Sequence, residues 1–277
     1  MNLYHTVCEQ CSKATTDLYS TSFSSAINLL HRDLRQPIHN IYGFVRFGDE
    51  IVDTFHDFDK TELLAQFKEE TFAAIHRGVS LNPILHSFQL TVNKFKIDHE
   101  LIAAFFSSME LDLSKSVYDE AGYNEYIYGS AEVVGLMCLQ VFCEGNKEVY
   151  QHLEMSARSL GAAFQKVNFL RDVKADFEGL DRMYFPNCDF KNFTEYDKQK
   201  IEDEIQEDFD KAFAGIVQLP LKARFGVYVA YKYYLSLFRK IKRLQAQRIL
   251  ENRIRIPNYG KAIIVAKAGL RSQLKIL

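Results

Sequence analysis

The chain has 277 residues, a formal net charge of −2, 47% hydrophobic residues and 22 Phe, against only 13 Gly and 5 Pro. Such a length fits one large core or at most two domains, and few breakers among long 3.6-period stretches point to an all-α protein. No run of 18 apolar residues and no basic-then-apolar leader over Met1–Gln10 are present, so neither a membrane-spanning helix nor a signal peptide is expected.

Residues from Leu3 to Leu30 read as a helix with a polar interruption at Tyr19-Ser20-Thr21-Ser22-Phe23, bending before Asp33. Cys8 and Cys11 have a zinc-like spacing, but no second pair or nearby histidine completes a site. With Cys138, Cys143 and Cys188 they make an odd count, which suits reduced thiols in a cytoplasm. Asp33 is a fitting N-cap for the next helix, which tolerates Pro37 in its first turn and runs to about His56. On that helix Asp49 and Asp53 stack four apart, with Arg46 a turn earlier on the same side and Glu50 pointing away. Like charges so placed repel, so positive charge is expected between them.

Helices over Thr61–Arg77 and Asn82–Lys94 carry no evident chemistry. Phe105, Phe106 and Met109 form an apolar stripe ending in Asp112, core first and pocket lining second. A long helix from about Tyr123 to Cys143 sets Tyr126 and Tyr128 beside Gly129, Ala131 and Gly135, small residues that admit a neighbouring helix or a thin ligand. Fourteen residues of helix span ~21 Å, about the reach of an extended twenty-carbon chain.

In the stretch Phe164 to Asp176, a helix advancing ~100° per residue puts Gln165, Asn168, Asp172 and Asp176 in one narrow stripe between Val167, Leu170 and Val173. Such a row suits oxygen ligands for a hard cation such as magnesium. On spacing alone a solvated helix face serves as well. The Asp49/Asp53 pair adds weight: two helices, each with carboxylates at i and i+4 and an arginine nearby (Arg46, Arg171), can hold several magnesium ions around a diphosphate.

Phe177 to Phe190 reads as a loop with Arg182 and Tyr184, Thr194 to Phe213 as an acidic amphipathic helix, and Val217 to Leu250 as one long helix with Tyr231, Tyr233 and Tyr234. From Arg239 to Leu277 eleven basic residues face the single acid Glu251, a local charge of +10 against −12 for the rest. No nucleic-acid reader motif accompanies this charge, so nucleic acid is not an expected partner. A peripheral contact with an anionic membrane surface and an ordinary solvated surface both account for it. No repeat or linker divides the chain, and one domain is the economical reading.

Four ordered blocks, Tyr19 to Phe23, Tyr42 to Asp53, Tyr126 to Met137 and Asn168 to Pro186, resemble the squalene/phytoene synthase family over nearly the whole chain. Tyr128 to Met137 looks most like bacterial phytoene synthases. The resemblance implies an all-α isoprenoid synthase fold, with helices surrounding a central hydrophobic cavity. It also implies head-to-head joining of two prenyl diphosphates through a cyclopropyl diphosphate. The expected product is phytoene, from two geranylgeranyl diphosphates, in carotenoid biosynthesis. Squalene or dehydrosqualene from two farnesyl diphosphates is the alternative, and a non-catalytic helical scaffold of the same fold is the alternative of another class.

The resemblance further implies magnesium, or manganese, on Asp49, Asp53, Asn168, Asp172 and Asp176, with catalytic roles for these aspartates and for Tyr128 and Tyr184. Substrate contacts are implied for Ser20, Ser22, Phe23, Tyr42, Arg46, Gln165, Asn168, Arg171, Arg182, Tyr234 and Arg253. NADPH is not expected if phytoene is the product. A cytoplasmic enzyme, with peripheral membrane contact through the basic segment, is the expected setting. Three positions depart from the family pattern: Glu50 stands second in the usual Asp-Asp-x-x-Asp, Thr21 stands where some relatives carry a basic residue, and Glu132 replaces a common glycine.

Overall fold

The computed structural model describes residues 2–114, 118–179, 184–186, 188, 192–250 and 254–273, without the side chains of 174–179, 258–259 and 271–273. Among the described residues all regular structure is helical. In chain order the helices are α1 (Asn2–Tyr19), α2 (Thr21–Ile27), α3 (Arg32–Asp53), α4 (Lys60–Arg77), α5 (Pro83–Phe95), α6 (His99–Ser114) and α7 (Glu120–Ile127). A π-helical turn (Tyr128–Glu132) leads into α8 (Val133–Cys143), followed by α9 (Lys147–Gly179), α10 (Glu195–Ile216), α11 (Leu221–Lys242), α12 (Ala246–Ile249) and α13 (Asn258–Gln273).

Side-chain caps set many of these boundaries. Asp59 accepts the Glu62 N–H at the start of α4, Asn82 caps α5 ahead of Pro83, and Thr194 with Asp197 forms a capping box on α10. Gly78, at φ +71°, closes α4 in the left-handed conformation that glycine adopts without strain. The expected helix over Leu3 to Leu30 is in fact two. Ser20 is extended, and its hydroxyl accepts the Phe23 N–H at 3.2 Å, which starts α2 afresh.

Three further expectations change. His31, not Asp33, caps α3, so Pro37 lies two residues deeper in the helix than anticipated. Pro220 ends the run expected from Val217: it lacks an N–H and disfavours helix in the residue before it, so α11 starts only at Leu221. α9 continues to Gly179, into the stretch expected to be loop.

The run from Glu120 to Cys143 is 24 residues long and, with a mean hydropathy of 1.4 over its 18-residue window, apolar enough to cross a membrane. That window is 61% buried inside the protein, as suits a core helix. α9 crosses this run with the two backbones almost touching. A Cβ at Gly161 would stand 2.5 Å from the Ala131 carbonyl oxygen, and one at Gly135 would stand 2.8 Å from that of Ala157. To one side, Phe44 stacks on Phe88 at 3.9 Å and meets Phe67, Phe105 and Phe106, which anchors α3 to α4, α5 and α6. Both α3 and α9 are thereby fixed along the same interior space.

Candidate active site

That space is a cavity of about 580 Å³. Along α3 its wall reads Ile38, Ile41, Tyr42 and Val45, then Arg46, Asp49 and Asp53; along α9 it reads Leu153, Ala157, Leu160 and Phe164, then Gln165, Asn168, Arg171 and Asp172. Each helix turns from apolar to charged in the same sense, so the cavity has a greasy end and a polar end. Ser20, Phe23, Tyr184 and Tyr234 also line it. The two acidic helices predicted to face each other therefore share one site, except that the Asp176 side chain, Arg182 and Arg253 lie outside the described residues.

Two predicted residues do not line the cavity. Ser22 is two positions from Ser20, about 200° around the turn, whereas Ser20 and Phe23 share the inner face. Tyr128 opens the π turn, whose wider winding brings Ser130 and Ala131 to the cavity instead. The Arg158 guanidinium covers the Tyr128 ring at 5.1 Å and bonds Glu132 at 2.6 Å. This pair gives Glu132, the departure from glycine, a place in the packing of the π turn on α9.

The second departure acts differently from expectation. Glu50 does not simply point away: it draws in the Arg46 guanidinium, which also stacks over Tyr19 at 4.4 Å. Arg171 is likewise engaged, its Nε donating to both oxygens of Asp172 at 3.0 and 3.1 Å. Both arginines at the polar end thus already hold a carboxylate.

Among the described residues carboxylates nonetheless outnumber arginines there: Asp49, Asp53, Asp112 and Asp172 line the cavity with Arg46 and Arg171. Burial, then repulsion from Asp53, push Asp49 up to about 8, although Arg46 opposes the shift. Asp49 faces the cavity, so part of its surface stays accessible while protein surrounds the rest. Asp112 adds to the repulsion. This buried carboxylate accepts hydrogen bonds from Tyr118, Tyr126 and Tyr184 at 3.2, 3.3 and 3.3 Å, and Tyr184 stacks on Phe169 at 4.0 Å. By sequence Asp112 stands only at the end of a core stripe. Its signal was present, since an acid on an otherwise apolar face is seldom buried without partners.

Several of these features fit a divalent cation. Asn168 lines the cavity with its Oδ1 buried and without a hydrogen-bond partner, an oxygen suited to a hard metal. Among the described residues no three acidic, histidine or cysteine side chains close around a single point, so water or substrate oxygens would complete any shell.

The Asp49 shift has a testable consequence for the metal-free protein. The folded carboxyl keeps, up to about pH 8, a proton that the unfolded chain releases near ~3.9. Stability therefore falls as pH rises from about 4 to about 8. Asp49→Asn removes this penalty and is expected to raise the unfolding temperature at pH 8 by about 2 °C or more, with no gain near pH ~4. Calorimetric melts at the two pH values check it; a variant less stable at pH 8 contradicts it.

A helical cage around a cavity with acids at one end and hydrocarbon walls at the other defines a class of protein built to hold a charged head on a long apolar chain. The squalene/phytoene synthase profile matches residues 16–260, and the chain belongs to that family. Its members are prenyltransferases that condense prenyl diphosphates head to head. The presqualene diphosphate synthase of Rhodopseudomonas palustris is 31% identical over 171 residues, 60% of this chain and 58% of its own length. The phytoene synthase of Arthrospira platensis is 27% identical over 291 residues, covering 96% of this chain and 93% of that one. The crystal structure of a ligand-bound dehydrosqualene synthase superposes with a TM-score of 0.83 at 19% identity, covering 99% of this chain and 98% of that one. The architecture is the all-α isoprenoid synthase fold.

Proposed function

We propose that the protein joins two geranylgeranyl diphosphates head to head to give phytoene, through a cyclopropyl diphosphate. The observation carrying the choice of chain is the length of the cavity wall that α9 forms below Asp172. From Asn168 back to Leu153, α9 lines the cavity over fifteen residues, or ~22 Å. An extended twenty-carbon chain fills that length, and a fifteen-carbon chain leaves about a quarter of it empty. The likeness to a phytoene synthase along nearly the whole chain supports the same choice.

Asp49, Asp53, Asn168 and Asp172 would hold magnesium, joined by Asp176 from the same helical stripe. When bound, magnesium supplies Lewis acidity that stabilises charge on the departing diphosphate. Arg46 and Arg171 can exchange their carboxylate partners for phosphate oxygens, with a planar fork that lysine lacks. The apolar wall excludes water, which would otherwise capture the allylic cation as an alcohol. Phe164 and Tyr234, stacked at 3.9 Å, and Phe23 beside them present ring faces that attract such a cation by ~0.5–2 kcal/mol each. Proton loss completes the sequence, so no hydride donor is called for.

Two farnesyl diphosphates are the second reading, favoured by the presqualene diphosphate synthase relative. Extracting the product formed from each substrate with magnesium and weighing it by mass spectrometry separates them. A C40 hydrocarbon from geranylgeranyl diphosphate is expected; C30 product alone, with no C40, overturns the choice.

A further inference from the structure

The third departure, Thr21, leaves the α2 end of the site without a cation from its own segment. One arrives from far along the chain. Lys261, in the first turn of α13, donates from its ammonium to the Thr21 hydroxyl at 2.5 Å. Thr21 is exposed, and neither it nor Lys261 is on the cavity wall, but the chain neighbours Tyr19, Ser20 and Phe23 all line it.

The state of this lysine is unlike that of the arginines on the cavity wall. Arg46 and Arg171 each hold a carboxylate. Lys261 is half-buried and its partner is a neutral hydroxyl. Burial pulls its pKa down, and no acidic neighbour raises it back. An ammonium partly withdrawn from water is stabilised by a hydrogen-bonded anion, and this one has none among the described residues.

We propose that Lys261 is the cation that binds the substrate's diphosphate at the α2 end of the site, filling from α13 the role of a basic side chain at position 21. The assignment rests on reading the cavity as a prenyl diphosphate site. A lysine suits it, being a compact charge on a flexible stem that can turn from the Thr21 oxygen to a phosphate oxygen without moving the backbone. It also makes α13 part of the site rather than a terminal appendage. Because the contact is with the head group, it is indifferent to chain length: loss of Lys261 should weaken fifteen- and twenty-carbon substrates alike and leave product length unchanged.

Calorimetry of the full chain with inorganic pyrophosphate and magnesium reads this contact without turnover. Lys261→Ala is expected to weaken pyrophosphate binding on the order of tenfold, as for the loss of one charge-assisted hydrogen bond. The KM for prenyl diphosphate should rise by a similar factor, with kcat within about threefold of wild type. Adding Thr21→Lys to Lys261→Ala is expected to restore both, because the charge returns to the same corner. Should the alanine variant fold poorly, Lys261→Met keeps the aliphatic stem and takes its place. Unchanged pyrophosphate binding overturns the assignment. So does a loss that Thr21→Lys does not repair, since the lysine would then be pinning α13 to α2 rather than holding phosphate. A wild type that binds no pyrophosphate overturns instead the reading of the cavity on which the assignment rests.

Discussion

Replacing Asp49 and Asp172 together by asparagine is expected to lower diphosphate release from geranylgeranyl diphosphate at least about a thousandfold. Asparagine keeps the size and one oxygen of each side chain but removes the two charges that would face each other from α3 and α9. The effect should be far larger than any change in stability, because Asp49 is already strained by its neighbours in the metal-free fold. Diphosphate release, followed with purified wild type and variant at saturating magnesium, measures it. Equal turnover by the variant would remove the acidic pairs from the mechanism. A variant that loses activity together with its helical signal would have to be replaced by the two single changes before the result is read.

The second large effect concerns the apolar end. Ala157 lines the cavity eleven residues, or ~16 Å, from Asn168 along α9, beyond the polar end but short of Leu153. Ala157→Phe would put a ring across the wall where the last isoprene unit of a twenty-carbon chain is expected to lie. Overfilling a packed space costs about 1–3 kcal/mol, so kcat/KM for geranylgeranyl diphosphate should fall by about ten- to a hundredfold. Farnesyl diphosphate, which ends at about the level of the new ring instead of passing it, should be affected less, and the product should shift from C40 toward C30. Competition between the two substrates in one reaction measures the shift. An equal loss for both substrates would mean that chain length is read elsewhere in the cavity.

Much of this arrangement was legible before any coordinates. The stripe Gln165, Asn168, Asp172 and the pair Asp49, Asp53 follow from helical periodicity alone, and that periodicity is a local property of the chain. On spacing alone the stripe suits a solvated face as well, and it is the second acidic pair, on another helix, that turns the reading toward a shared site. The caps at Asn82 and Thr194 are equally local, and the predicted helix ends there fall close to the observed ones.

The parts that escaped depend on non-local geometry or on a rule left unapplied. The π turn at Tyr128–Glu132 changes which residues face inward, and nothing in a regular 3.6-residue pattern announces it. Tyr128, expected at the cavity, packs under Arg158 instead of lining it. Glu50 was judged by the face it leaves, whereas what matters is the arginine one turn back that it captures. Asp112 draws its three tyrosines from α7, from the residues just before it and from beyond α9, an assembly that no window of sequence displays. Pro220 is different: it was visible, and a proline at the fourth position of a supposed helix should have moved its start.

What remains is whether charge on α3 and α9 acts through a shared set of divalent cations. Protein stripped with chelator, given geranylgeranyl diphosphate, and titrated with magnesium answers this by the diphosphate it liberates. No release before the metal is added, followed by saturable release as it is titrated in, is the predicted outcome. Release at full rate in the presence of chelator would contradict it.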